Sequence, residues 1–241
     1  MSQDIVVEQF SARVREHGLE LSSRQLEQFE IYYRELVDWN EKMNLTAITE
    51  REQVYLKHFY DSLTLAFHVK LEPVSTMADI GAGAGFPSIP LKIVFPHLKL
   101  TIVDSLNKRI HFLNHLAEQL GLQDVKAIHA RAEEAGRNKD LRDRFDLVTA
   151  RAVARLSVLN ELCLPFVRPG GIFAAMKSAQ TSDELQEAKR SIVLLKGELE
   201  TVHTFTLPVE EAERNIVVLK KTDVTPPKYP RKPGTPGKEP L

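Results

Sequence analysis

The nine residues Asp79-Ile80-Gly81-Ala82-Gly83-Ala84-Gly85-Phe86-Pro87 restrict the fold of this chain more than any other stretch. Three glycines at alternate positions let the backbone turn sharply and come into contact with a bulky ligand. A short lead-in, 73–78, precedes the loop, and the apolar segment 89–95 follows it. An acid before the glycines and a proline after them read as strand, tight loop and helix. Further on, Leu98-Lys99-Leu100-Thr101-Ile102-Val103 ends in Asp104. A carboxylate at the tip of a second strand can accept hydrogen bonds from both hydroxyls of a ribose. The ligand expected over this loop therefore contains a nucleoside.

The glycine spacing separates two such ligands. A dinucleotide fingerprint requires G-x-G-x-x-G, with helix amides facing a pyrophosphate. Here the third glycine comes one residue early, and Phe86 stands where the last glycine of that fingerprint belongs. Gly-x-Gly-x-Gly resembles motif I of the class I S-adenosylmethionine (SAM)-dependent methyltransferases, whose ligand has no phosphate to hold. A glycine-rich turn can also be purely structural. The strand before it, the helix after it and Asp104 favour SAM.

At 241 residues the chain suits one large domain, or one domain with an appendage. Its 43% hydrophobic and 27% charged residues are those of an ordinary soluble protein. With a net charge of −1, nucleic-acid binding has to rest on a local patch rather than on the overall field. The single cysteine, Cys163, excludes an internal disulfide framework; within the apolar run 162–167 it reads as core. Residues 1–10 carry acids where a signal peptide needs bases, and no apolar run approaches the ~18 residues of a membrane span. The expectation is a cytoplasmic protein without a membrane partner.

Residues 1–70 read as a helical extension. Residues 7–17 are amphipathic and stop at Gly18, and Ser22-x-x-Gln25 is a capping box. Leu26, Phe29, Tyr33, Leu36 and Val37 then keep one helical face to about Met43. Thr49-x-x-Glu52 is expected to start another helix. The aromatic residues Phe29, Tyr32, Tyr33 and Trp39 are most simply packing. His58 and Asp61, three apart, read as a structural pair or a wall of the ligand pocket rather than a catalytic pair.

From Met77 onward strands and helices alternate, which implies βαβ units and a parallel sheet. The remaining strands are expected at 125–130, 145–150 and 172–176, with Pro169-Gly170-Gly171 as a turn into the last of these. Helices are expected at 107–120, ending at Gly121, from about Leu156 to Leu164, and from Thr181 to Gly197. Arg151-Ala152-Val153-Ala154-Arg155 should open the second of them. Two closing strands, 202–207 and 215–220, flank an acidic turn around Glu210 and suit an antiparallel hairpin at a sheet edge. The methyltransferase domain then spans 71–221.

Residues 222–241 differ in kind, with six of the thirteen prolines and the bases Lys228, Arg231, Lys232 and Lys238. Pro-rich basic sequence tends to an extended form. It is either a solvated terminus or an arm that neutralises phosphates and orders on binding, with Tyr229 as a stacking surface.

Several phrases then match one family in order. They are Asn44-Leu45-Thr46, His58-x-x-Asp61-Ser62-Leu63, the 79–87 loop, Asp104-Ser105-Leu106-x-Lys108-Arg109, Arg131-Ala132-Glu133 and Thr149-Ala150-Arg151-Ala152. Lys228-Tyr229-Pro230-Arg231-x-Pro233-Gly234-x-Pro236 completes the set. Together they closely resemble the small-subunit (16S) ribosomal RNA guanine-N7 methyltransferases, once called glucose-inhibited division protein B. The resemblance implies a Rossmann-like, mostly parallel seven-stranded sheet with an antiparallel last strand, and SAM contacts at Gly81, Phe86, Ala132, Glu133 and Arg151. It favours a functional tail. The class I pattern adds Gly83, Gly85 and Asp104, the last as the ribose acceptor.

Guanine N7 carries a lone pair and no proton, so its methylation needs no general base, no catalytic triad and no metal. Catalysis should come from placing N7 in line with the methyl group, at roughly 3–3.5 Å. Arg151 is expected beside the reacting groups, with Lys108, Arg109, Arg131, Arg155, Lys177, Lys228, Arg231 and Lys232 gripping RNA. N7 is hard to reach in A-form RNA, so the target should be an exposed loop or a flipped base. The resemblance implies 16S rRNA or the small subunit as partner, and the modest charge and absence of heptads make a monomer the default. The alternatives are an NAD-dependent dehydrogenase, an inactive RNA binder on the same scaffold, and a SAM-dependent enzyme for another acceptor.

Overall fold

The computed structural model describes residues 4–151, 154–178, 181–209 and 211–241. Ala152 and Val153 at the expected opening of one helix, and Glu210 in the acidic turn, lie outside the described residues. The N-terminal helices are α1 (Ile5–Glu16), α2 (Ser23–Met43), α3 (Arg51–Val54) and α4 (Asp61–His68). The capping box forms as expected: Ser22 Oγ accepts from the Gln25 amide, and the Gln25 side chain accepts from the Ser22 amide. The Gln25 side-chain amide also donates to the carbonyls of Ile93 and Val94, fixing α2 to the remainder of the chain. The next helix starts one residue later than the Thr49-x-x-Glu52 pattern suggests. Glu50 is its cap, with a carboxylate that accepts from the Gln53 amide.

Between α3 and α4 the helix widens into a π-turn, Tyr55–Tyr60. Such turns shift the phase of a helix by about one residue and recur at functional sites. Here the shift lets Tyr55, Leu56, Phe59 and Tyr60 stay buried while His58 and Asp61 both reach toward the sheet ends.

The sheet strands are β1 (Thr76–Ile80), β2 (Lys99–Asp104), β3 (Val125–His129), β4 (Phe145–Arg151), β5 (Val167–Ser178), β6 (Gly197–Thr206) and β7 (Glu213–Lys221). Their spatial order is β3-β2-β1-β4-β5-β7-β6. The pairs from β3 to β5 are parallel, and β7 runs antiparallel between β5 and β6. The expected alternation is thus realised, including the closing hairpin. Pro169-Gly170-Gly171 is not a turn ahead of the fifth strand but a bulge within it. The register jumps from Phe145↔Val167 to Leu147↔Ile172. A Cβ at Gly171 would lie 2.8 Å from the Asp146 carbonyl, so only glycine lets the strands close up again there.

Helices α5 (Ser88–Val94) and α6 (Asn107–Gln119) cover one face of the sheet together with the N-terminal helices. Phe29, Tyr32 and Phe59 form one continuous core with Phe86, Ile89 and Leu113. The opposite face carries α7 (Ala132–Ala135), α8 (Leu156–Cys163) and α9 (Thr181–Leu194). Cys163 is buried there, as expected of a core thiol. Each fully buried Leu or Phe in these layers stabilises the fold by roughly 1.5–3 kcal/mol.

Residues 222–241 are neither extended nor solvated along their length. The Arg142 guanidinium donates to the carbonyls of Thr225, Pro226 and Tyr229, and Arg137 donates to those of Pro227 and Lys228. Arg231 forms a two-pronged ion pair with Glu161, which is itself fully buried on α8. A short helix, α10 (Thr235–Lys238), ends the segment. A proline-rich chain lacks amide donors, but its carbonyls remain strong acceptors. Two arginines of the 136–144 loop satisfy those carbonyls, which composition alone does not reveal.

Candidate active site

The 79–87 loop leaves β1 at the carboxyl edge of the sheet, where open α/β sheets place ligands. Its glycines do different things. Gly81, Gly83 and Gly85 all have positive φ, a region costly for other residues. A Cβ on Gly83 would meet nothing within 4 Å, because that side faces open space. A Cβ on Gly85 would lie 2.8 Å from both the Tyr32 hydroxyl and Ile89, and 3.0 Å from Leu113. Gly85 therefore belongs to the packing beneath the loop rather than to the ligand surface. Tyr32 completes that support by donating a 2.6 Å hydrogen bond to the Ala84 carbonyl and stacking on Phe86. Asp79 is fully buried below, accepting from the Ser88 amide, and burial pushes its carboxyl up to about 7.

Above the loop opens a cavity of about 430 Å³ lined by Gly81, Gly83, Phe86, Asp104, Arg109 and Arg151, among others. Asp104 sits at the tip of β2, with Oδ2 accepting from the Gly83 amide and the Arg109 guanidinium and Oδ1 accepting from the Leu106 amide. These three bonds fix the carboxylate and leave about one acceptor direction for a ribose hydroxyl, since an ionised carboxylate offers about four. The side open at Gly83, the carboxylate and the ring of Phe86 suit a nucleoside with a flexible, amino-acid-like end. They fit SAM, and nothing in the lining provides the run of amides that a pyrophosphate requires.

His58 and Arg151 also border a second cavity, of about 320 Å³, lined further by Asp61, Met176, Phe205, Arg214 and Ile216. The two spaces share this wall. The Arg151 guanidinium lies 5.0 Å over the Phe86 ring and donates to Asp61 Oδ2 at 3.2 Å. Arg214 Nε donates to Asp61 Oδ1 at 3.2 Å. His58 does not pair with Asp61; its Nε2 bonds Thr46 Oγ1 at 2.9 Å and its ring stacks on Phe86. Burial, reinforced by the Arg151 charge, lowers the His58 imidazole from 6.5 to about 4.

That shift makes a testable statement about pH. Between about 4 and 6.5 the folded chain binds fewer protons at His58 than the unfolded chain does. The contribution is fully present above pH 6.5 and is lost as pH falls through 4. Asp79 acts in the opposite sense, its contribution being lost as pH rises toward 7, so the two must be separated. Urea melts of the wild type and His58→Gln between pH 4 and 7 should diverge by on the order of 1–2 kcal/mol. Parallel curves would mean that the ring is not desolvated as described.

The remaining expected site residues divide. Ala132 and Glu133 do not line the first cavity; Glu133 Oε1 accepts from the Gly234 amide of the tail at 2.8 Å. Arg109, Arg155, Lys177 and Arg231 are held by Asp104, Glu187, Glu184 and Glu161 respectively. Lys108, Arg131, Lys228 and Lys232 are exposed. Arg214 was not anticipated: it lies 153 residues from Asp61, and no local pattern marks it. Among the described residues no group of three or more His, Cys, Asp or Glu could hold a metal ion. No helix among them is long and apolar enough to cross a membrane.

A family model described as "rRNA small subunit methyltransferase G" (GidB) matches residues 25–217. The chain is 62% identical to the ribosomal RNA small subunit methyltransferase G of Bacillus velezensis over 98% of both chains. It is 59% identical to the protein of the same name from Bacillus subtilis, again over 98% of each. Among solved structures the fold is similar to the Bacillus subtilis YcgJ protein, at 12% identity and a TM-score of 0.54. That match covers 69% of this chain and all of the other.

Proposed function

Since this chain belongs to the rRNA small subunit methyltransferase G family, we propose that it transfers a methyl group from SAM to N7 of one guanosine in 16S rRNA, forming 7-methylguanosine. The chain is a methyltransferase of the class I fold, and its family acts on small-subunit rRNA. The observation that carries the finer reading is the pair of cavities meeting at Arg151, one suited to a nucleoside and the other bordered by groups that can bind a polar base. The protein works in the cytoplasm as a monomer.

Bound SAM supplies an electrophilic methyl group on a sulfonium. The chain holds one ribose hydroxyl at the remaining acceptor direction of Asp104 and lets the methionine end lie along Gly81 and Gly83. Phe86, stiffened by Tyr32 and His58, forms the floor of the first cavity. Arg151 is held by Asp61, the Lys57 carbonyl and the Phe86 ring, so its position is set before either ligand arrives. Holding N7 at about 3–3.5 Å from the methyl carbon removes much of the entropic barrier, and no proton has to move. Lys108, Arg131, Lys228 and Lys232 contact phosphates outside the cavity, where each fixes register without reading sequence.

The test is methyl transfer from labelled SAM to small-subunit particles lacking the modification, followed by digestion to nucleosides. Label should appear in 7-methylguanosine. Asp104→Asn should weaken SAM binding by about 10-fold, the loss expected of one charge-assisted hydrogen bond. Label in another nucleoside would replace the acceptor assignment, and absence of SAM binding would remove the cofactor assignment.

A further inference from the structure

The second cavity has an ordered set of polar groups. Arg151 stands at the wall shared with the first cavity, Asp61 follows, and Arg214 follows Asp61. Each Asp61 oxygen accepts one arginine, Oδ2 from Arg151 and Oδ1 from Arg214. A carboxylate has about four acceptor directions, so about two remain. The apolar lining, including Ile48, Met176, Phe205 and Ile216, suits the faces of a flat ring.

Guanine carries a matching series along its edges. Starting from N7, the next groups are O6, an acceptor, then N1–H and the 2-amino group, both donors. With N7 turned toward the first cavity, O6 comes to Arg151, and N1–H and the amino group come to Asp61. We propose that this cavity is the acceptor-base site and that Asp61 selects guanine by accepting from N1–H and the 2-amino group, with Arg214 holding the carboxylate in place. The proposal rests on the N7 reading above and specifies how the base is chosen. Adenine in the same pose turns its amino donor toward the Arg151 cation and its N1 lone pair toward the carboxylate. Both contacts are repulsive, and buried polar groups left unpaired discriminate strongly.

Arg214 is the cleaner residue to change. Its guanidinium touches the Asp61 carboxylate and the carbonyl of its neighbour Glu213. The experiment measures methyl transfer to small-subunit rRNA carrying guanosine or inosine at the modified position, by the wild type, Asp61→Asn and Arg214→Gln. SAM affinity and melting temperature are recorded for each. Inosine lacks the 2-amino group but keeps N7, O6 and N1–H. Both variants should lower kcat/KM for guanosine by roughly 10- to 100-fold. In Arg214→Gln, whose side chain does not line the first cavity, SAM affinity should stay within about twofold of the wild type. Inosine should cost the wild type about 10-fold and Asp61→Asn little, which a merely structural role for Asp61 would not produce. An undiminished inosine penalty in Asp61→Asn, or wild-type rates in Arg214→Gln, with 7-methylguanosine still the wild-type product, would overturn this base site alone. A wild-type product other than 7-methylguanosine would overturn the N7 reading, and the base site with it.

Discussion

Gly85→Val should lower the melting temperature by about 4–20 °C and abolish SAM binding, although Gly85 does not face the ligand. Two costs add. With φ at +98° the backbone is in a region that costs a branched residue about 1–2 kcal/mol. The Cβ would also lie 2.8 Å from Ile89 and the Tyr32 hydroxyl, and overpacking of this kind costs typically 1–3 kcal/mol. The sum is about 2–5 kcal/mol, and each kcal/mol shifts the midpoint by roughly 2–4 °C in a domain of this size. Relief requires Tyr32 to move, and its hydroxyl is the donor that supports the Ala84 carbonyl. The loop then loses its floor. Gly83→Ala is the control: its Cβ has no neighbour within 4 Å, so only the φ cost of about 1 kcal/mol applies. Equal melting temperatures for the two variants would show that position 85 is not packed as described.

Arg231→Ala is the second large effect, and it concerns the tail. Glu161 is buried at 0% exposure, and Arg231 donates to it from Nε, Nη2 and the backbone amide. Alanine keeps only the amide bond. A carboxylate left buried without its cation costs about 3–5 kcal/mol, and the one-quarter exposure of the arginine reduces this to about 2–4 kcal/mol. Differential scanning calorimetry should show a fall of about 4–16 °C. Exchanging both partners for leucine should recover much of it, because well-packed apolar pairs replace buried ion pairs at little cost. If Arg231→Ala melts like the wild type yet binds RNA less tightly, Arg231 acts on phosphates rather than on Glu161.

The glycine loop, the strand ending at Asp104 and the alternation of apolar segments were legible because each is written in neighbouring residues. Periodicity reports the local face of a helix or strand, and the capping box at Ser22 reports a helix start directly. The bulge in β5 is not legible locally, because Pro-Gly-Gly signals a turn as well as a bulge and only the strand opposite decides between them. The π-turn at Tyr55–Tyr60 leaves no local mark, since its extra residue is favoured by what Phe59 and Asp61 touch elsewhere. The pairing of Asp61 with Arg214 and the docking of the tail join positions tens of residues apart or more. Such contacts belong to the topology, and basic residues involved in them look from composition like solvated charges.

The order of synthesis gives the docked tail a further meaning. All seven strands of the sheet precede residue 222, so they leave the ribosome before Arg231 does. Until then Glu161 lacks the cation that Arg231 supplies, and α8 settles on the sheet with that carboxylate unpaired. The nascent domain is consequently weaker than the domain with residues 222–241 in place by about the strength of that ion pair, and it tightens when this segment docks. A chaperone that binds loosely packed chains would meet its best substrate in that interval.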